Sequence, residues 1–118
     1  MLIGLYDLKD DNGRDLTVLK TYERILSKNG IPFVRLEASE DRFWDKVASL
    51  DLLIFRWSHF DSDHQKAYDI LQVAENELGI KCYPNWKTCW HYDDKVKQYL
   101  LIKAHGLPMV ESYIFWDK

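Results

Sequence analysis

Short apolar runs alternate along this chain with stretches in which apolar positions recur every three or four residues. Leu2-Ile3-Gly4-Leu5-Tyr6 is the first run, and a polar stretch from Asp7 to Asp15 with the turn pair Asn12-Gly13 follows it. This order predicts a buried strand and then a loop. Asp15 is placed to cap a helix through its carboxylate. In that helix Leu16, Leu19, Tyr22, Ile25 and Leu26 repeat with helical spacing. Asn29-Gly30 supplies a left-handed end, and Pro32 forbids continuation. Phe33-Val34-Arg35-Leu36 reads as a second strand. Phe43 to Leu50 reads as a short amphipathic helix with Phe43, Trp44, Val47 and Leu50 on one side. Leu52-Leu53-Ile54-Phe55 is the most apolar run, the pattern of a strand covered on both faces.

The second half repeats the theme. Ser62 with Gln65 three residues on has the form of a capping box. A helix then runs through Ala67, Ile70, Leu71, Ala74 and Leu78 to Gly79. Ile80 to Tyr83 predicts a fourth strand, Asp94 to His105 a helix, and Val110 to Trp116 a further strand. Alternating strands and helices predict a three-layer α/β/α domain with a mainly parallel sheet of four or five strands. Ile3, Leu5, Val34, Leu53, Ile54 and Phe55 are its expected core, with Leu19, Leu71 and Leu78 packing from the helices. Ligands of such sheets bind beyond the carboxyl ends of the strands. Those ends lead here into loops 7–15, 56–63 and 85–93.

At 118 residues the chain suffices for one domain with a real core. A composition 47% hydrophobic and 30% charged predicts a folded protein. The net charge of −3, without a basic run, gives no support to nucleic-acid binding. No run approaches the roughly 20 apolar residues that span a bilayer, and the opening residues lack a basic flank. A cytoplasmic protein without a membrane partner is expected. The two cysteines, Cys82 and Cys89, fit reduced thiols. A zinc site using both, His91 and a fourth ligand would have a spacing that no common finger or ribbon shows, and no metal site is expected.

Candidate chemistry gathers after the third strand. Arg56 at the mouth of a sheet can hold a carboxylate or phosphate through two parallel hydrogen bonds. His59 beside it can exchange a proton near neutral pH. The bland alternatives are an Arg56 paired with a local Asp and an ordinary loop histidine. Asp61 and Asp63 suit the N-terminus of the following helix. Asp7, Asp10 and Asp11 form an acidic cluster after the first strand. A phosphoacceptor site would need another Asp where Arg56 and Trp57 stand, so solvated loop acids are the better account. No dinucleotide glycine motif, Walker loop or serine-hydrolase elbow is present. Tyr83, Trp86, Trp90 and Tyr92 suggest an aromatic cluster that could stack on a base or a sugar, with packing in a core or interface the favoured account. No complete catalytic apparatus is present, and no catalytic residue is assigned.

One stretch is more specific. Tyr83-Pro84-Asn85, then Asp94-Lys95, then Leu100-Leu101 and Gly106-Leu107-Pro108 resembles the junction at which a small N-terminal α/β domain, the Rossmann-like pre-ATP-grasp domain, enters an ATP-grasp ligase. The nearest resemblance is to glutathione-synthetase-like and ribosomal-modification (RimK-like) ligases. It covers most of the chain and implies a single pre-ATP-grasp-like domain over 1–118. Roughly residues 94–118 then lead into an ATP-binding domain that is missing here.

The resemblance implies that such enzymes activate a carboxylate as an acylphosphate, with ATP and Mg2+, and couple it to an amine or thiol. It implies a substrate-binding role for this domain, inactive alone, with Arg56, His59 and Asn85 toward a small-molecule or peptide carboxylate or amine substrate. Asn85 can equally cap the adjacent turn. Lys95 is implied to contact a nucleotide phosphate. The Gly-rich lid, the adenine-contacting segment and the late Glu/Asn magnesium ligands are absent from the chain, so no ATP or Mg2+ is expected on it alone. An uncovered C-terminal segment would favour a homodimer. The alternative is a free-standing α/β ligand- or protein-binding module without ATP chemistry.

Overall fold

The computed structural model describes residues 1–6, 17–58 and 60–116. Four strands, β1 (Ile3–Tyr6), β2 (Phe33–Leu36), β3 (Leu52–Ile54) and β4 (Lys81–Tyr83), form one parallel sheet in the order β2-β1-β3-β4. Gly4 stands between Val34 and Leu53, and Leu53 beside Cys82. Among the described residues the helices are α1 (Thr17–Lys28), α2 (Phe43–Ala48), α3 (Asp61–Asn76), α4 (Trp86–Cys89) and α5 (Lys95–Ala104).

Alternation along the strands sends side chains to two faces, and each face has its own core. Ile3, Leu5 and Ile54 pack with Leu19 and Leu26 of α1. Tyr6, Leu36, Leu53 and Phe55 pack with Phe43 and Val47 of α2 and with Ala67, Leu71 and Ala74 of α3. The layers are therefore α1, sheet, and α2 with α3, a three-layer α/β/α fold. Tyr6 and Phe55 stack with centroids 3.9 Å apart, tying the carboxyl ends of β1 and β3 together. Arg35 of β2 grips Glu23 of α1 through two donors, Nε to Oε1 and Nη2 to Oε2, the latter at 2.8 Å. This pins α1 over the sheet.

Helix ends follow local chemistry. Gly30, at φ 64°, turns the chain out of α1 while Ile31 N donates to Leu26 O at 3.0 Å. Gly106, at φ 61°, ends α5 in the same way, with Leu107 N donating to Ile102 O at 3.1 Å. Asp94 caps the start of α5, its Oδ1 accepting from Lys97 N at 2.9 Å.

Several expectations are corrected. Val110 to Trp116 forms no strand. It has the alternation and aromatic content of a strand, but no described strand pairs with it, and β4 is only 3 residues long. Leu78 lies past the end of α3 and is 36% exposed, outside the core. Val34 is half-buried because β2 is an edge strand. Trp44 keeps a tilted ring contact with Phe43, its centroid 6.4 Å away, but is exposed rather than buried with Phe43 and Val47. Ile25, one position before buried Leu26, is exposed on the outer side of α1.

The capping box does not form. Helix α3 starts at Asp61 after an N-cap Phe60 that offers no side-chain bond, which puts Ser62 inside the first turn. Ser58 fixes the entry instead, accepting from Phe60 N at 3.2 Å and donating to Asp63 Oδ2 at 2.6 Å. Among the described residues no helix is long and apolar enough to cross a membrane.

Candidate functional site

The strand order runs outward from β1 to β2 on one side and to β3 and β4 on the other. The crevice outside the carboxyl ends of β1 and β3 is thus the switch point of the sheet, where open α/β folds hold ligands. Arg56 comes two residues after the end of β3 and is exposed. No described residue forms an ion pair with its guanidinium. It lines a cavity of about 240 Å³ whose walls are Trp57, Tyr83, Pro84 and Tyr92. Phe55 and Cys89 lie at its base, and Thr88 adds a hydroxyl. The walls come from three consecutive places in the fold: the exit of β3, the exit of β4 and the α4 turn.

Aromatic contacts hold these walls. The Trp57 indole donates from Nε1 to His64 Nδ1 at 3.1 Å. An indole N–H can only donate, so this bond assigns the proton of neutral His64 to Nε2. Tyr92 meets Trp57 edge-on at 5.6 Å and lies 5.7 Å from His64. Tyr68 donates its hydroxyl to Tyr92 O at 3.1 Å, and burial, the first cause, raises its pKa above the usual tyrosine value. On the far side of Tyr92 lies a second cavity of about 510 Å³, bordered by Asp61, His64, Tyr68, Asp93 and Lys95. A third, about 450 Å³, lies between α5 and the 109–115 segment and is not lined by Arg56.

Tyr83 and Pro84 are joined by a cis peptide bond. Asn85 follows as the N-cap of α4, its Oδ1 accepting from Thr88 N and from Thr88 Oγ1, each at 3.0 Å. Its carbonyl is therefore engaged by the turn that carries Thr88 to the cavity. Trp86 N donates to Glu75 Oε2 at 2.8 Å. Cys82 and Cys89 are free and buried. Burial and, after it, the Glu75 charge push their thiols to about 12 and about 11. Such thiols are packing groups rather than nucleophiles at neutral pH. No group of three or more His, Cys, Asp or Glu among the described residues is arranged to hold a metal ion.

Lys95 opens α5 and is highly exposed, with Asp93 Oδ1 at 3.9 Å and Gln98 Oε1 at 3.3 Å. It borders the second and third cavities and not the Arg56 cavity. The structure thus brings Arg56 and the Asn85 turn together, and sets Lys95 across Tyr92 from them. His59 and the acidic loop with Asp7, Asp10, Asp11 and Asp15 lie outside the described residues.

The expected aromatic cluster divides: Trp86 packs on Tyr68, Trp90 on His91, and Tyr92 on Trp57 and His64. Trp57, His64 and Tyr68 are the site residues that sequence reasoning missed. The available signal was the four-residue spacing of His64 and Tyr68, which puts both on one face of α3.

No protein-family model matches the chain, and no curated protein or solved structure matches it.

Proposed function

We propose that this chain is the substrate-binding domain of an ATP-dependent carboxylate–amine or carboxylate–thiol ligase, with Arg56 as the anchor for the substrate carboxylate. One observation carries the reading: an exposed arginine without a described carboxylate partner lines a small cavity at the carboxyl ends of β3 and β4, next to the switch point of a parallel sheet. A guanidinium matches a carboxylate through two parallel hydrogen bonds, and partial exclusion of water strengthens them.

In this reading Thr88, Tyr83 and Tyr92 shape the space around the acid, and the Asn85 cap holds Thr88 in place. ATP with Mg2+ supplies the activation of the carboxylate in the complete enzyme. In this reading Lys95 is the cation offered to a nucleotide phosphate, and the described residues hold no metal-binding cluster. Nucleotide and metal would therefore be held largely by a separate ATP-binding domain, with α5 and the exposed Val110–Trp116 segment facing it.

The test is an equilibrium titration of small carboxylates into the chain, without nucleotide and then with Mg-ATP. The reading expects saturable binding without nucleotide, weakened about tenfold by Arg56→Ala. Phosphate release from ATP should stay at the buffer rate. Robust ATP turnover by this chain, or affinity indifferent to Arg56→Ala, would contradict it.

A second reading is favoured by the aromatic lining that the exits of β3 and β4 and the α4 turn give the Arg56 cavity. On that reading the domain is a free-standing binding module without ATP chemistry. The reading frame after the codon for Lys118 separates the two. An ATP-binding domain encoded there or in an adjacent gene favours the ligase, and its absence favours the module.

A further inference from the structure

The cavity beside Arg56 has a restrictive chemistry. Its volume of about 240 Å³ equals that of about eight waters of the liquid. That is room for a compact acid. The Trp57, Tyr83 and Tyr92 rings border it, with Pro84 and Phe55 adding apolar surface. Cys89 lines it as a neutral thiol, because burial pushes its pKa to about 11. Arg56 is the charged group among the described lining residues. Its positive charge repels an ammonium while attracting a carboxylate. A zwitterionic amino acid would bring its ammonium close to that guanidinium and against apolar walls, where a poorly paired charge is costly. A flat apolar body instead gains contact with the rings.

From this lining we infer that the cavity takes a small aryl carboxylate, its carboxylate on Arg56 and its ring against Trp57 and Tyr92, and discriminates against amino acids. The inference rests on the carboxylate-anchoring reading of Arg56 given above. The indole bond to His64 holds the Trp57 ring as a fixed wall. Tyr92 is held in turn by Trp57, His64 and the Tyr68 hydroxyl. Trp57 and Tyr92 are thus braced before the ligand arrives, which limits the ordering cost of binding.

The experiment is a nitrogen–proton correlation titration of the full chain, followed at the Trp57 indole N–H and the Arg56 Nε–H. Trp57→Phe assigns the first resonance, and triple-resonance spectra assign both independently. The probes are benzoate, phenylacetate, phenylalanine and benzyl alcohol, each to about 10 mM, where millimolar affinities are measurable. Benzoate or phenylacetate should move both resonances saturably. Phenylalanine and benzyl alcohol should bind at least about tenfold more weakly, and Arg56→Gln should weaken the aryl acids by about tenfold or more.

Phenylalanine binding as tightly as benzoate through the same resonances overturns the aryl-acid assignment and leaves Arg56 as a carboxylate anchor. Acids that move neither resonance, or that bind Arg56→Gln as well as the parent chain, overturn both the assignment and the anchoring role.

Discussion

Gly4→Ala places one methyl group where the core has no room for it. A Cβ on Gly4 would lie 2.3 Å from Leu50 Cδ1 and 2.8 Å from Leu36 Cδ1. Carbon atoms settle at about 3.5–4.0 Å, so one contact must open by more than about 1 Å. Both leucines are buried, Leu36 at 0% and Leu50 at 5% exposure, so their flexible ends can give way only by repacking against core neighbours. Gly4 also sits in β1, which is paired on both sides, so the backbone cannot retreat without breaking register with β2 or β3.

Overpacking of this kind costs about 1–3 kcal/mol. The lower entropy of the unfolded alanine chain returns about 0.4–1 kcal/mol, leaving a net loss of roughly 1–2 kcal/mol. With a urea m-value of about 1.5 kcal/mol/M the midpoint should fall by roughly 1 M. Leu50→Ala should relieve the clash, so the double variant should be more stable than additivity predicts by at least about 0.5 kcal/mol. Urea unfolding followed by far-ultraviolet circular dichroism measures all four proteins. An unchanged or raised midpoint in Gly4→Ala, or strict additivity with Leu50→Ala, would refute the packing argument.

Other consequences can be checked by simpler means. Asp94→Ala removes the cap of α5 and should cost about 1 kcal/mol, read by urea midpoint. Backbone donation from Lys97, the largest cause, lowers the Asp94 pKa. The contribution of a carboxylate with lowered folded pKa is present above its unfolded value and is lost as pH falls through the folded one. The penalty of Asp94→Ala should therefore shrink in acid. Thiol labelling at pH 8 should be roughly a hundredfold or more slower for native Cys82 and Cys89 than after unfolding, because their thiols sit at about 12 and about 11; equal rates would contradict their burial. Val110, Tyr113, Phe115 and Trp116 are each more than two-thirds exposed, and such patches mark interfaces. Sedimentation at micromolar concentration should show a homodimer that Phe115→Glu disperses, and a monomer at all concentrations would count against pairing there.

The sequence made the fold legible wherever local chemistry and burial point the same way. Leu52 to Phe55 is apolar throughout because β3 lies between layers, and that pattern already implied a parallel sheet. Gly30, Gly106 and the Asp94 cap mark helix ends through bonds formed within a few residues. What was not legible depends on neighbours distant in the chain. Val110 to Trp116 has a strand's composition, but pairing requires a partner edge, which residue order does not reveal.

Ser62 and Gln65 have the spacing of a capping box, yet Ser58 sets where α3 begins and leaves Ser62 inside it. Arg56 was readable because it directly follows the most apolar run. Trp57, His64, Tyr68 and Tyr92 converge only after α3 packs beside β4 and α4. Their grouping is a product of the tertiary fold.

The most direct test of the central claim is a crystal structure of the chain with the small acid that binds it most tightly in titration. The account predicts the carboxylate within about 3 Å of the Arg56 guanidinium nitrogens, and the ligand body between Trp57, Tyr83 and Tyr92. An acid bound elsewhere, with the Arg56 side chain turned from the cavity or paired to a carboxylate of the protein itself, would contradict it.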